Sequence, residues 1–351
     1  LVSAGIFRQI LRRIFVWRLK IEQPSVVELT IDSMVMNNDD AEQRHGVSPT
    51  YKKVKGFQPL HVIWEDRIVD AVFRGGKKNG NSGNTVANTL REFEKVIREE
   101  YSEKVPIIVR FDAGFFDQDI FKVCDELGIG FICTGKMYDD VKAAVQPIPE
   151  ADWKLYKNSH QTWRYAEWEY SAKSWKERSY RALYTQPVYE ENGQGMIEFA
   201  RPDNVIVTNL GRNEKVLEHC SASQKNKIVA ASSIIESHHN RGADELPHRG
   251  LKDFGTEKLP FKRFAPNAAY YYCMLIAFLF FECFKRDVVK DVLPELAHAY
   301  ASTVRRSIVD IAVKVVRKAR RMIVKVTRAV WETLRFHELW ERTLVPVRVP
   351  L

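Results

Sequence analysis

Three acidic residues sit where a carboxylate could do chemistry. Asp32 ends the β-branched run SVVELTID, and Asp112 ends the apolar run VPIIVRFD. Ligands of α/β sheets bind beyond the carboxyl ends of strands, although Asp is also an ordinary turn residue there. The third element is ESHHNRGADELPHRGLKDF, in which His238, Arg241, Glu245 and Lys252 are spaced x2, x3 and x6. On one continuous helix these four share a face. An acid flanked by Arg and Lys suits a metal ligand beside phosphate-binding cations. A solvated ladder of ion pairs has the same pattern, and Pro247 and Gly250 argue against an unbroken helix. Other acids rank lower. Asp244 is about 100° off that face, Asp39 and Asp40 fall in a polar loop, and Asp66 and Asp70 flank a turn.

These residues need a scaffold, and the hydrophobic pattern supplies one. SVVELTID is a strand; QPLHVIWED and RIVDAVFRGG are two more, joined by a tight turn. GGKKNGNSGN is a flexible loop without the GK[ST] of a Walker loop. Thr85–Tyr101 is a helix with Val86, Leu90, Phe93 and Ile97 on one face. VPIIVRFD is a buried strand, Asp117–Leu127 a helix and IGFICTG a strand. Three antiparallel strands followed by helix, strand, helix and strand is the ribonuclease-H-like layout. From 146 to 225 aromatic and charged residues alternate as in antiparallel strands, and Trp153, Trp163, Trp168 and Trp175 lie there. They read as sheet core, or as platforms for an unpaired base. Lys225–His239 and Ala265–Phe284 are helices. Within 303–330 a helical stripe competes with nine Val or Ile in residues 308–326. The β-branched crowding favours a basic hairpin turning at Arg317–Arg320, then a helix near Trp331–Arg342.

Composition bounds the function. The chain has 351 residues, 45% apolar and 28% charged, enough for a sizeable core. Its net charge is +9, and the excess is at the ends: five Arg or Lys against one acid in residues 1–23, twelve against four in 301–351. A near-neutral body with basic ends fits a polyanionic partner, or merely solvated faces. Cys124, Cys133, Cys220, Cys273 and Cys283 form no CxxC, which suggests neither a zinc ribbon nor a disulfide framework and fits a reducing, cytoplasmic compartment. The Arg-rich start reads as the tail of an N-terminal domain in preference to an organellar presequence. The run Ala265–Phe284 is interrupted by Asn267, three tyrosines and Glu282, so it reads as a core helix and no membrane partner is expected.

These blocks of residues resemble a known family. Arg241-x3-Glu245-x6-Lys252 is similar to the Tyr-x2-Arg-x3-Glu-x6-Lys signature of DDE transposases of bacterial insertion sequences, with His238 standing at the Tyr position. ELTIDSM resembles their first-Asp strand and PIIVRFDAGFF their second-Asp block. The likeness covers roughly residues 22–345 and implies an α/β fold: a ribonuclease-H-like mixed sheet flanked by helices, with an all-β insertion before the last catalytic helix. The implied organisation is a remnant of an N-terminal DNA-binding region (1–23), a catalytic core (24–145 and 226–300), the insertion (146–225) and a basic C-terminal hairpin and helix (301–351).

The resemblance also implies a mechanism. Asp32, Asp112 and Glu245 would be catalytic and hold two Mg²⁺ ions about 4 Å apart, with Mn²⁺ able to substitute; Asp32 would bridge both ions. Mg²⁺ takes oxygen ligands and keeps waters, so three acids suffice. Arg241, Lys252 and His238 would contact DNA. The implied activity is metal-dependent cleavage at transposon ends and strand transfer by the 3′-OH into target DNA, by a nucleoid-associated homodimer on double-stranded DNA. A catalytically inactive DNA-binding remnant, or a nuclease without strand transfer, shares the fold.

Overall fold

The computed structural model describes residues 4–347 apart from positions 42, 79, 160, 173–174, 176–177, 189, 192–193, 196–202 and 346. Helix α1 (Ala4–Glu22) leads into β1 (Val27–Ser33). A small sheet of β2 (Met36–Asn37), β3 (Ser48–Pro49) and β4 (Lys55–Phe57) precedes β5 (Leu60–Trp64) and β6 (Arg67–Val72). Then come α2 (Thr85–Glu100), β7 (Ile107–Phe111), α3 (Gln118–Leu127), β8 (Gly130–Thr134) and α4 (Asp139–Val145). Strands β9 (Lys154–Lys157), β10 (Thr162–Tyr170), β11 (Tyr180–Pro187), the short pair β12 (Glu190–Glu191) and β13 (Gln194–Gly195), and β14 (Asn204–Thr208) follow. Helices α5 (Ala222–Val229), α6 (Ala231–Asn240), α7 (Glu245–Phe254) and α8 (Phe264–Phe284) complete the body. The tail holds α9 (Lys290–Val292), α10 (Ala301–Val304), β15 (Lys314–Lys318), β16 (Arg321–Lys325), α11 (Arg328–Thr333) and α12 (Phe336–Leu344).

The main sheet has nine strands in the order β6-β5-β1-β7-β8-β14-β11-β10-β9. β1, β7 and β8 run parallel, and every other pair is antiparallel. Its centre is covered on both faces, which is why β7 is apolar at every position but Arg110. That guanidinium stays buried because Thr30 Oγ1 accepts from it at 3.0 Å, the Ser237 carbonyl accepts at 3.2 Å, and Glu28 pairs with it at 3.2 Å. On one face α1, α2 and α3 bring Phe15, Leu90, Phe93 and Phe121 against Leu29, Ile31 and Phe111. On the other, Ile234 and Ile235 of α6 meet Ile108, Ile132 and Ile206.

Residues 4–22, expected as the remnant of an N-terminal DNA-binding region, pack into the body: Leu11, Phe15 and Leu19 of α1 are fully buried. The 146–225 segment extends the same sheet, because β14 pairs with the open edge of β8, Val207 opposite Cys133; parts of that segment, 173–174, 176–177 and 196–202, lie outside the described residues. The expected helix over Lys225–His239 is two helices, broken where Ala230 turns to ψ 133°. The Phe264–Val292 helix is long and apolar enough to cross a membrane by length and composition. Its Tyr271, Tyr272, Leu275, Phe278 and Leu279 are buried against α1 and β6 neighbours such as Leu11 and Ile68. In the tail, β15 and β16 form a hairpin that turns at Ala319 and Arg320, and the helix beyond it is split at Arg335, φ 46°.

Candidate active site

The last rung shared by β1 and β7 is Ile31–Phe111. Asp32 and Asp112 are the next residues on each, so they leave adjacent parallel strands side by side. Ile31 and Phe111 face the core with α1 and α2. Side chains alternate along a strand, so Asp32 belongs to the opposite face, where α6 and α7 lie. Both aspartates are fixed by backbone donors: Ser33 N–H donates to Asp32 Oδ1 at 2.7 Å, and Gly114 N–H to Asp112 Oδ1 at 2.8 Å. The Asp-x-Gly spacing has a steric reason, since a Cβ on Gly114 would sit 3.0 Å from that carboxylate oxygen.

Glu245 arrives from the other side as the first residue of α7. Asp32, Asp112 and Glu245 line one cleft of about 370 Å³, rimmed by Arg241, Lys252, Lys52 and Tyr51. The proximity registers on Tyr51: burial first, then the charges of Asp32, Asp112 and Glu245, push its hydroxyl pKa up. Glu245 itself pairs with Arg249 at 3.1 Å and Lys252 with Glu257 at 2.9 Å. Among the described residues no three His, Cys, Asp or Glu side chains stand close enough to share a metal ion. The donor set fits a hard divalent cation in kind, being three carboxylates, and in this conformation Glu245 is turned to Arg249.

His238 does not join them. It is buried, its Nε2 is 2.9 Å from Thr134 Oγ1, and burial followed by His239, Arg241 and Arg110 pushes its pKa down to about 3. The ring expected to contact phosphate thus faces β8 and is not among the residues lining the cleft. The reason lies in the turn between the helices. α6 ends at Asn240, residues Arg241–Asp244 form a 3-10 turn, and α7 restarts at Glu245. A 3-10 turn advances about 120° per residue against 100° in an α-helix, so the four-residue face loses phase. Asp244 lies in that turn, and its side chain lies outside the described residues.

The cleft contains residues the sequence reading passed over. His248 is buried, its Nδ1 lies 4.0 Å from Asp32 Oδ2, and burial then Lys252 and Lys52 lower its pKa to about 4. Its ring packs on His61 with centroids 4.8 Å apart, and His61 bonds the Tyr271 hydroxyl. Its signal was available: it is three residues after Glu245 and four before Lys252, hence on their side of α7. Tyr51 and Lys52 come from the β3–β4 loop, whose polar sequence carries no such signal.

The family model described as transposase DDE domain group 1 matches residues 18–344. Among solved structures the chain is similar to the cryo-EM structure of a piggyBac transposase synaptic complex with hairpin DNA, at 12% identity and TM-score 0.40, over 97% of this chain and 61% of that one. It thus spans about three fifths of that protein's length. No curated protein matches it. Two aspartates on adjacent strand ends face a glutamate across a cation-rimmed cleft, and the family match runs over nearly the whole length: the chain belongs to the transposase DDE domain family.

Proposed function

We propose that this protein is a DNA transposase that cleaves DNA at transposon ends and joins the freed 3′-OH to target DNA. One observation supports it above the others: Asp32, Asp112 and Glu245 line a single cleft whose other charged groups are Arg241, Arg249, Lys252 and Lys52. Such a cleft attracts phosphodiester and still offers an all-oxygen donor set. Asp32, Asp112 and Glu245 are the residues that would hold divalent cations, Mg²⁺ by the hardness of the donors. Metal ions, when bound, supply a water of lowered pKa and a polarised phosphoryl oxygen.

The protein's own groups do the rest. Backbone N–H donors from Ser33 and Gly114 hold the two aspartates in place. Glu245 must exchange Arg249 for the cleft, and both side chains are about two-thirds exposed, so the exchange costs little. Arg241 offers a planar fork and Lys252 a point charge to phosphate oxygens. Tyr51 keeps its proton, since its pKa is raised, and is a donor to the same oxygens. His248, held neutral, lines the cleft 4.0 Å from Asp32. Two copies acting on paired ends would make the working unit a dimer on double-stranded DNA.

Asp112→Asn tests this directly. The substitution keeps shape and removes charge, so Mg²⁺-dependent nicking should fall by orders of magnitude, with DNA affinity unchanged or raised. Asp139→Asn, fully exposed on α4 and outside the cleft, should leave nicking intact. An active Asp112→Asn protein would overturn the catalytic assignment. Absence of cleavage by the unmodified chain with any divalent ion would leave an inactive DNA-binding relative.

A further inference from the structure

The β15–β16 hairpin is built against its own stability. Residues 314–325 contain six Lys or Arg and no acid, and every side chain but Val316 is exposed. Its register sets Lys314 opposite Lys325 and Lys318 opposite Arg321, with Val316 opposite Ile323 on the rung between them. These three pairs share one face, because they are two residues apart on each strand. Like charges directly opposite each other destabilise a strand pair, and a two-stranded hairpin alone is marginal in water. The turn adds to this. Ala319 and Arg320 take φ 49° and 61°, a two-residue turn that Asn-Gly would form with less strain. Among the described residues none of the six cations is in an ion pair.

We propose that this face is a β-ribbon that docks in the major groove of duplex DNA, with the phosphates on the two groove walls neutralising the two cation pairs. The dimensions agree. Four residues of strand separate the Lys314–Lys325 rung from the Lys318–Arg321 rung, about 13 Å, and the major groove is about 12 Å wide and admits a two-stranded ribbon. Val316 and Ile323 then face the base edges, where only apolar contacts such as a thymine methyl suit them. The ribbon therefore positions the protein and reads sequence weakly. The choice of DNA as the polyanion rests on the transposase reading; the strained like-charge face does not.

The test is the salt dependence of binding by the full chain to a 30-base-pair duplex of arbitrary sequence, followed by fluorescence anisotropy. Replacing Lys314, Lys318, Arg321 and Lys325 with Ser should reduce the log–log slope by about 3 to 4, since each lost phosphate contact removes about 0.9. Replacing the exposed Lys95, Lys122 and Lys142 on α2, α3 and α4 should leave the slope unchanged. A second variant separates binding from folding. Lys318→Glu creates an opposite-charge pair with Arg321, so amide exchange within the hairpin should slow while DNA binding weakens. The idea fails if the fourfold variant keeps the parental slope, if the control triple lowers it equally, or if Lys318→Glu binds as tightly as the parent. Nicking is measured separately: cleavage with an unchanged slope overturns the ribbon and spares the catalytic reading, and a changed slope without cleavage does the reverse.

Discussion

The two basic ends of the chain look alike on paper and differ in space. In α1, Arg8 reaches Asp70 at 2.7 Å and Glu92 at 2.8 Å, Arg12 reaches the same two acids, and Arg18 pairs with Glu22 at 2.8 Å and Asp287 at 2.7 Å. Three of its five cations are thus spent inside the protein, beside a buried stripe of Leu11, Phe15 and Leu19. In the β15–β16 hairpin Lys314, Lys318, Arg321 and Lys325 face outward with only each other opposite. Charge density along a sequence gives the attraction to polyanions; what stands across from each charge decides whether that attraction is already satisfied. The fully buried Asp70, on β6, makes α1 a structural helix.

Breaking that inward arrangement should give the largest effect. Asp70→Asn leaves Arg8 and Arg12 facing a buried site without its carboxylate, which should cost about 3–5 kcal/mol. Denaturant unfolding measures it, and Arg8→Met with Asp70→Leu should recover most of the loss. A cost below about 1 kcal/mol would mean Glu92 alone satisfies the arginines.

His238 is another group turned inward, and pH exposes it. His238 has a folded pKa near 3 against about 6.5 unfolded. Between those values only the unfolded chain takes up the proton, so stability falls as pH drops below about 6.5. At pH 5 the deficit is about 2 kcal/mol from this ring, and His248, lowered to about 4, acts in the same sense. His238→Gln should flatten part of the fall in thermal midpoint between pH 7 and 5; an unchanged profile would show that the ring is not the group refusing the proton. The smallest stability effect is expected from the fourfold hairpin variant. Its unfolding midpoint should stay put or rise slightly, because the lost groups repel each other. A large drop would make the hairpin a structural element like α1.

Local periodicity carried much of this fold. β1, α2, β7 and α3 follow from runs of period two or 3.6, and the two aspartates are legible because each ends such a run. The β-branched crowding in 308–326 likewise pointed to the hairpin. What was not legible depends on partners distant in sequence. Nothing in residues 4–22 announces that Asp70, Glu92 and Asp287 will consume their arginines. Nor does NVIVT announce that its partner is the edge of β8. The x2, x3 and x6 spacing and the signature set His238 beside Glu245 only if the helical phase is kept, and four residues of 3-10 turn are enough to rotate it away. His248 was overlooked for the opposite reason, since its spacing marked it and the family signature did not.

The docking of α1 on α8 has a consequence in time. Phe7 stacks on Tyr272 with centroids 5.5 Å apart, and Leu11 shares a cluster with Tyr271 and Leu275, joining the first helix to the last long helix of the body. The strands from β1 to β8 pair over separations no larger than that of Val27 and Ile107, whereas the docking of α1 on α8 closes a far longer loop, and distant contacts form late. In refolding, amides of β1 and β7 should therefore gain protection in an early phase and those of α1 in a late one, with the apolar face of α1 exposed in between. That interval is the stage at which this protein is most open to aggregation or capture by a chaperone, and its length is governed by α8, not by the sheet.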